Sequence, residues 1–209
     1  MTARALCLAL LALAAPSAAR ADKQELYTFV SFEPQLTSFT EPIAASASAT
    51  LITPAVELGA YFGLTNTLHV GGVLRASFAN DLRVDNSNVR LPDGTPATGS
   101  VYFNHRTLGI GALGYYRFDS GRALAPALQA EVGFNSHSYS LVAFGPADQS
   151  FTIAYPSVSE LRLYLRAVAL AEYRFGNHMH ASAGVGFSAE PGGLAPWQVV
   201  VPIRFAWIW

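Results

Sequence analysis

The sequence predicts an all-β fold: a closed, antiparallel, up-and-down transmembrane β-barrel of eight strands. Three observations predict it. Apolar side chains recur at every second position through most of the chain, the spacing of a pleated strand. The positions between them hold glycine and isolated charged residues, and Lys23 is the only lysine, so a conventional solvated face is missing. Short turns alternate along the chain with longer polar stretches, the asymmetry of a barrel threaded through a membrane.

Composition sets the outer bounds. The 209 residues suit one domain. Charged residues make up 13% and hydrophobic ones 51%, against about 25% charged in ordinary soluble domains. A formal net charge of −1 offers no basic footprint for nucleic acid. Beyond the N-terminus no run approaches the ~20 apolar residues of a membrane helix.

The N-terminus reads as an address. Arg4 precedes an apolar run from Ala5 to Ala15, and Ala19-Arg20-Ala21 supplies the small-x-small pattern of a cleavage site. The expected division is a signal peptide over 1–21 and a barrel over 22–209. The single cysteine, Cys7, lies inside the apolar run, so the exported chain is expected to carry no disulfide and no thiolate chemistry. Of 13 basic residues, Arg4 and Arg20 would be removed, leaving 11 against 14 acidic ones.

The strands follow in order. The first is expected near Leu26 to Phe32. In the second, Ile52, Val56, Leu58, Ala60 and Phe62 oppose Glu57, Gly59 and Tyr61. In the third, Leu68, Val70, Gly72, Leu74, Ala76 and Phe78 alternate with His69, Gly71, Val73, Arg75 and Ser77. The fourth sets Leu108, Ile110, Ala112, Tyr116 and Phe118 against Thr107, Gly109, Gly111, Tyr115 and Arg117. The fifth sets Leu124, Leu128, Ala130, Val132 and Phe134 against Ala127, Gln129, Glu131 and Gly133. Leu161 to Phe175 contains good helix formers, yet Leu161, Leu163, Leu165, Ala167, Ala169, Ala171, Tyr173 and Phe175 are all apolar, which favours a sixth strand. Met179 to Ser188 and Trp197 to Trp209 complete the count. Thr65-Asn66, Asp119-Ser120-Gly121 and Gly176-Asn177 are the short turns; Glu33 to Ala49, Asn80 to Ser100, Gly145 to Ser150 and Glu190 to Pro196 are the longer connections.

A soluble barrel would place the apolar set inside, and a membrane barrel reverses this. The polar set decides for the membrane. Glycines between isolated charges suit a narrow, crowded interior better than a water-facing surface. Phe62, Phe118, Phe175 and Trp209, with Tyr116, Tyr173 and Trp207 one pleat further in, gather beside the short turns as an interfacial girdle would.

On these residues the chain resembles the small eight-stranded bacterial outer-membrane barrels of the OmpA/OmpX type, over essentially 22–209. Val201, Ile203, Phe205, Trp207 and Trp209 look like that family's C-terminal assembly signal; the usual last residue is Phe, and Trp209 keeps its aromatic character. The resemblance implies residence in the bacterial outer membrane, contact with its lipid and with the barrel-assembly machinery, and a monomeric state.

The candidate interior charges are Glu57, Arg75, Arg117, Glu131, Arg162, Arg166, Glu172, Arg174 and Arg204. They read as a plug of paired charges, because a lone buried charge costs several kcal/mol; the alternative is a narrow ion path. Eight strands leave an interior that side chains just fill. His137-Ser138 is the most enzyme-like dipeptide, but it lacks the His-x-Ser spacing of the lipid A deacylase barrels. His178 and His180, without a clear third ligand, are weak evidence for a metal. No catalytic residue, metal or other cofactor is expected. The expected role is structural or a surface interaction displayed through the long loops, ahead of a channel or carrier for small or apolar solutes and, third, a lipid-modifying enzyme. The third hairpin, around Gly145 to Ser150, is the expected contact for a surface partner.

Overall fold

The structure is a computed structural model that describes residues 25–118, 121–147, 151–175 and 178–209. The proposed signal peptide, the Asp119-Ser120 and Gly176-Asn177 turn residues and part of the Gly145 to Ser150 connection lie outside them. Ten strand segments follow one another: β1 Leu26–Thr40, β2 Ser48–Gly63, β3 Leu68–Arg90, β4 Pro96–Arg117, β5 Leu124–Pro146, β6 Ile153–Ala154, β7 Val158–Phe175, β8 Met179–Ala189, β9 Trp197–Val200 and β10 Ile203–Ile208. β9 and β10 are two halves of one wall strand, and β6 is a short piece paired with β5. The remaining strands pair with their sequence neighbours, and β1 closes the ring on β9 and β10. The wall is an eight-stranded antiparallel barrel.

Within the lower wall every apolar set named above faces outward. Leu58, Leu74, Ile110, Val132, Leu165, Val185 and Phe205 are exposed, while Glu57, Arg75, Gly133, Arg166 and Arg204 between them face in. An apolar band of this kind on the outside is stable only in lipid. Its aromatic girdle is also outward: Phe62, Tyr116, Phe118, Tyr173, Phe175, Trp207 and Trp209 are all exposed at the short-turn end. Trp209 Nε1 donates to Thr28 Oγ1 at 2.9 Å, tying the last residue to the first strand.

The glycines fit the crowded interior. A Cβ on Gly71 would stand 1.9 Å from the Ala60 carbonyl oxygen, and one on Gly111 would stand 2.1 Å from the Tyr164 hydroxyl. Larger side chains would force the strands apart.

The structure corrects the strand limits at the long-loop end. β1 runs on to Thr40, so Glu33 to Thr40 is wall rather than loop. Pro34 and the polar residues after it read as a connection. In the barrel Pro34 lies opposite Pro54, and its carbonyl accepts from Val201 N at 3.0 Å. The Asn80 to Ser100 stretch is likewise mostly strand, with only residues 91–95 between β3 and β4. Above the band the outer face meets water, so the pattern inverts: Leu82, Val84, Val89, Val101 and Phe103 point in, and Arg83, Asp85 and Arg90 point out. Bulges shift the register here, each with a residue in the left-handed region: Asp81 (φ 55°), Asn86 (φ 58°) and Leu141 (φ 52°). The Leu141 bulge turns Leu141 outward and Val142 and Phe144 inward, which breaks the simple alternation from Tyr139 to Ala143. The third hairpin does not stand alone above the membrane: β3, β4 and β5 are 23, 22 and 23 residues long and rise together. Pro156 lies in the break between β6 and β7.

Candidate functional site

The alternation that points apolar residues into lipid stacks polar ones along the barrel axis, in tiers. At the short-turn end, β7 supplies Glu172 and β4 supplies Arg117, whose Nε lies 2.9 Å from Glu172 Oε1. His180 Nδ1 is 2.8 Å from the same oxygen, and Tyr115 donates a short hydrogen bond to Oε2. Arg174 Nε donates to His180 Nε2 at 3.1 Å from a half-buried position. The stacked Tyr27, Tyr61 and Tyr115 rings pack around this tier and join a buried apolar cluster that includes Phe29, Val73, Leu113 and Leu170.

The central tier holds three guanidiniums against three carboxylates. Arg75 lies 2.6 Å from Glu57, 2.5 Å from Glu131 and 3.8 Å from Glu33. Arg166 lies 2.7 Å from Glu33, 3.1 Å from Glu57 and 3.5 Å from Glu131. Arg204 reaches Glu57 at 3.1 Å, donates to Gln129 Oε1 at 2.5 Å and stacks 3.9 Å above the Phe29 ring. All six charged side chains are buried. Their formal charges cancel, which offsets part of their desolvation cost.

A third tier is built on histidine. His137 Nε2 lies 2.5 Å from Glu190 Oε2, and Asn135 Nδ2 donates to Glu190 Oε1 at 2.7 Å. His105 Nε2 and His137 Nδ1 are 2.9 Å apart, with Thr107 Oγ1 near both. Glu190 starts the connection after β8, so this tier fastens that connection to the wall. Thr107, His137 and Glu190 stand in the order hydroxyl, imidazole, carboxylate, but all three are buried beneath the next layer. That layer is the apolar cap: Phe39, Leu82, Val84, Val89, Val101, Phe103, Tyr139, Val142, Phe144 and Ala195 form one buried cluster, with Ile43 and Leu194 against it.

Of the nine charges picked out in the sequence, Glu57, Arg75, Glu131, Arg166 and Arg204 meet in the central tier, and Arg117, Glu172 and Arg174 meet below it. Arg162 joins neither. It sits at the outer rim, 38% exposed, paired with Glu160 at 2.9 Å. Sequence reasoning missed Glu33 and Glu190 because both lay in stretches read as loops. His137 and Ser138 face opposite sides of the wall, so they form no dyad. His178 is exposed while His180 is buried in the lowest tier, so the two do not converge. Val201, Ile203, Phe205, Trp207 and Trp209 line up on the lipid-facing side of the closing strand.

Tiers of side chains inside a ring of eight strands with an apolar outer band define a small outer-membrane β-barrel. Solved structures share this fold. Neisserial surface protein A superposes with a TM-score of 0.56 at 13% identity, covering 88% of this chain and 99% of that one. The attachment invasion locus protein of Yersinia pestis gives 0.53 at 10% identity, over 90% and 99%. The outer membrane protein OprG from Pseudomonas aeruginosa gives 0.52 at 11% identity, over 89% and 96%. No protein-family model matches the chain, and no curated protein matches it in sequence.

Proposed function

We propose that the protein is an integral outer-membrane barrel, acting as a monomer, whose role is a surface interaction made through a pre-formed extracellular cap. The observation that carries this reading is the order of the cap. The Glu41 carboxylate accepts from Ile43 N at 2.7 Å and Ser46 N at 2.8 Å, which folds the connection between β1 and β2. Thr40 N donates to the Leu194 carbonyl at 2.7 Å, and Glu160 accepts from Leu194 N at 2.8 Å. Asn88 N donates to Ser46 Oγ at 2.8 Å, joining the second hairpin to that connection. Together with the buried apolar cluster, these bonds fix the loops before any partner arrives. A surface ordered in advance loses less entropy on binding. Short turns face the periplasm in barrels of this kind, which puts the cap outside the cell. The cap is built from several connections, so the contact surface is broader than the third hairpin alone. The aromatic outward face of β10 supports recognition by the barrel-assembly machinery. The burial of Thr107, His137 and Glu190 beneath the cap favours a structural use of that tier, and the charge-balanced central tier favours a plug over a channel.

The test compares cells of a Gram-negative host displaying the protein with cells displaying an Arg83→Ala, Arg90→Ala, Asp93→Ala variant, whose changes are all on the exposed second hairpin. Adherence to immobilised host-matrix proteins should rise with the native chain and return to the background level with the variant at equal surface expression. Unchanged adherence together with conductance steps in planar bilayers would favour the channel instead.

A further inference from the structure

The lipid-facing wall carries a feature that neither the cap nor the plug uses. A groove of about 460 Å3 crosses the outside of the barrel, lined by Leu58, Leu74, Ala76, Leu108, Phe134 and Leu161. Ala76, with Ser136 and Gly109, is small among the leucines of this lining, and the short side chains leave the groove open. Immediately beyond Leu108, on the same face of β4, stands Arg106, exposed and pointing outward. Its register partners are Phe78 on β3 and Ser138 on β5, and Ser138 lies opposite Ser159 on β7.

Position along the strand fixes what Arg106 meets. From Phe118 to Leu108 the outward face of β4 is Phe118, Tyr116, Gly114, Ala112, Ile110 and Leu108, without a charge. That stretch matches the ~9–11 residues of a membrane crossing. Arg106 is therefore the first charge met on leaving the hydrocarbon at the long-hairpin end, at headgroup depth. No carboxylate pairs with it among the described residues, whereas Arg83, also outward on this hairpin, has Asp85 at 2.6 Å. An arginine held at a membrane interface beside a row of hydroxyls, with no protein counter-charge, is matched by an anionic headgroup. A guanidinium binds phosphate oxygens through two parallel N–H donors.

We propose that this wall is a binding site for one lipid of the outer leaflet whose headgroup is a net-anionic phosphomonoester, as in lipid A, with its phosphate on Arg106, near Ser138 and Ser159, and an acyl chain in the groove below. The site depends on the barrel crossing the membrane and is independent of any partner at the cap. Protein in nanodiscs of zwitterionic phospholipid with a minor fraction of lipid A, released and weighed by native mass spectrometry, tests it. The native chain should retain one lipid A. Arg106→Ala should reduce retention about tenfold or more, the loss of one charge-assisted contact. Ala76→Trp, which fills the groove and leaves Arg106 in place, should reduce it comparably. Both side chains face lipid, and heat-modifiable gel mobility verifies that each variant is folded. Lipid A stripped of its phosphates, offered to the native protein, should be retained no better than the zwitterionic lipid. Undiminished retention by either folded variant, or equal retention of the phosphate-free lipid by the native chain, overturns the proposal.

Discussion

Glu57 is the carboxylate on which the central tier turns, and replacing it with glutamine separates a plug from a wet pore. Glu57 contacts Arg75 at 2.6 Å, Arg166 at 3.1 Å and Arg204 at 3.1 Å, and its side chain has no solvent exposure. The Glu57→Gln substitution would keep the volume and remove the charge. Three guanidiniums would then face two carboxylates, Glu33 and Glu131, and one buried positive charge would be uncompensated. Breaking a buried ionic cluster in this way costs about 3–5 kcal/mol, a large part of the ~5–15 kcal/mol that holds a domain folded. Glu131→Gln should cost less, because Glu131 touches two arginines, at 2.5 and 3.5 Å, rather than three. The double variant Glu57→Gln, Arg204→Gln restores neutrality and should be less damaged than the sum of its parts, as coupled neighbours are. Reversible urea unfolding in lipid vesicles measures the native protein, the single variants and the double variant. A Glu57→Gln loss under about 1 kcal/mol, with strict additivity in the double variant, would mean that water screens these charges and that the interior is a hydrated path; an exposed ion pair is worth about that much.

The wall and the cap make separate demands. Leu165→Arg places a charge in the outward band, toward its long-hairpin side, and should cost about 1 kcal/mol, less than the ~2–4 kcal/mol of the midplane. Arg166→Leu, one residue on, should cost more, about 3–5 kcal/mol, because it strips Glu33 of contacts at 2.7 and 2.9 Å; the same vesicle unfolding assay ranks the pair, and the opposite order would place residue 166 outside a dry network. Phe144→Ala empties the centre of the cap at a cost of about 3–5 kcal/mol. It should open the hairpins to added protease on intact cells while the barrel keeps its heat-modifiable gel mobility, and protease resistance equal to that of the native chain would show that the cap is not held by this cluster.

What the sequence made legible, and what it hid, follows from which solvent each face of a strand meets. Between the girdle and Phe78, Leu108, Phe134 and Phe187 the outer face meets lipid, so Leu, Val, Ala and Phe alternate with a sparse polar set and every strand is readable. Beyond that line the outer face meets water and the inner face meets the cap. Leu82, Arg83, Val84 and Asp85 still alternate, but in the opposite sense, and the bulges at Asp81 and Asn86 shift the phase twice within one strand. A pattern that inverts and then slips looks like a polar loop. The same blindness removed Glu33 from the expected network, since it lies where proline and polar neighbours imitate a connection; Glu190 does lie in a connection, but one that folds into the barrel, and both carboxylates are buried. Charge arithmetic held the missing signal. Glu57 and Glu131 could not balance Arg75, Arg166 and Arg204 on the inward face at mid-barrel, so a third carboxylate had to reach the same depth. The only acidic residue of the first wall strand beyond Glu25 and before its connection is Glu33, two pleats on from Phe29, whose ring lies under Arg204. Neutrality of a dry interior is therefore a constraint on strand length: it requires β1 to continue past Pro34, and the network forms because it does.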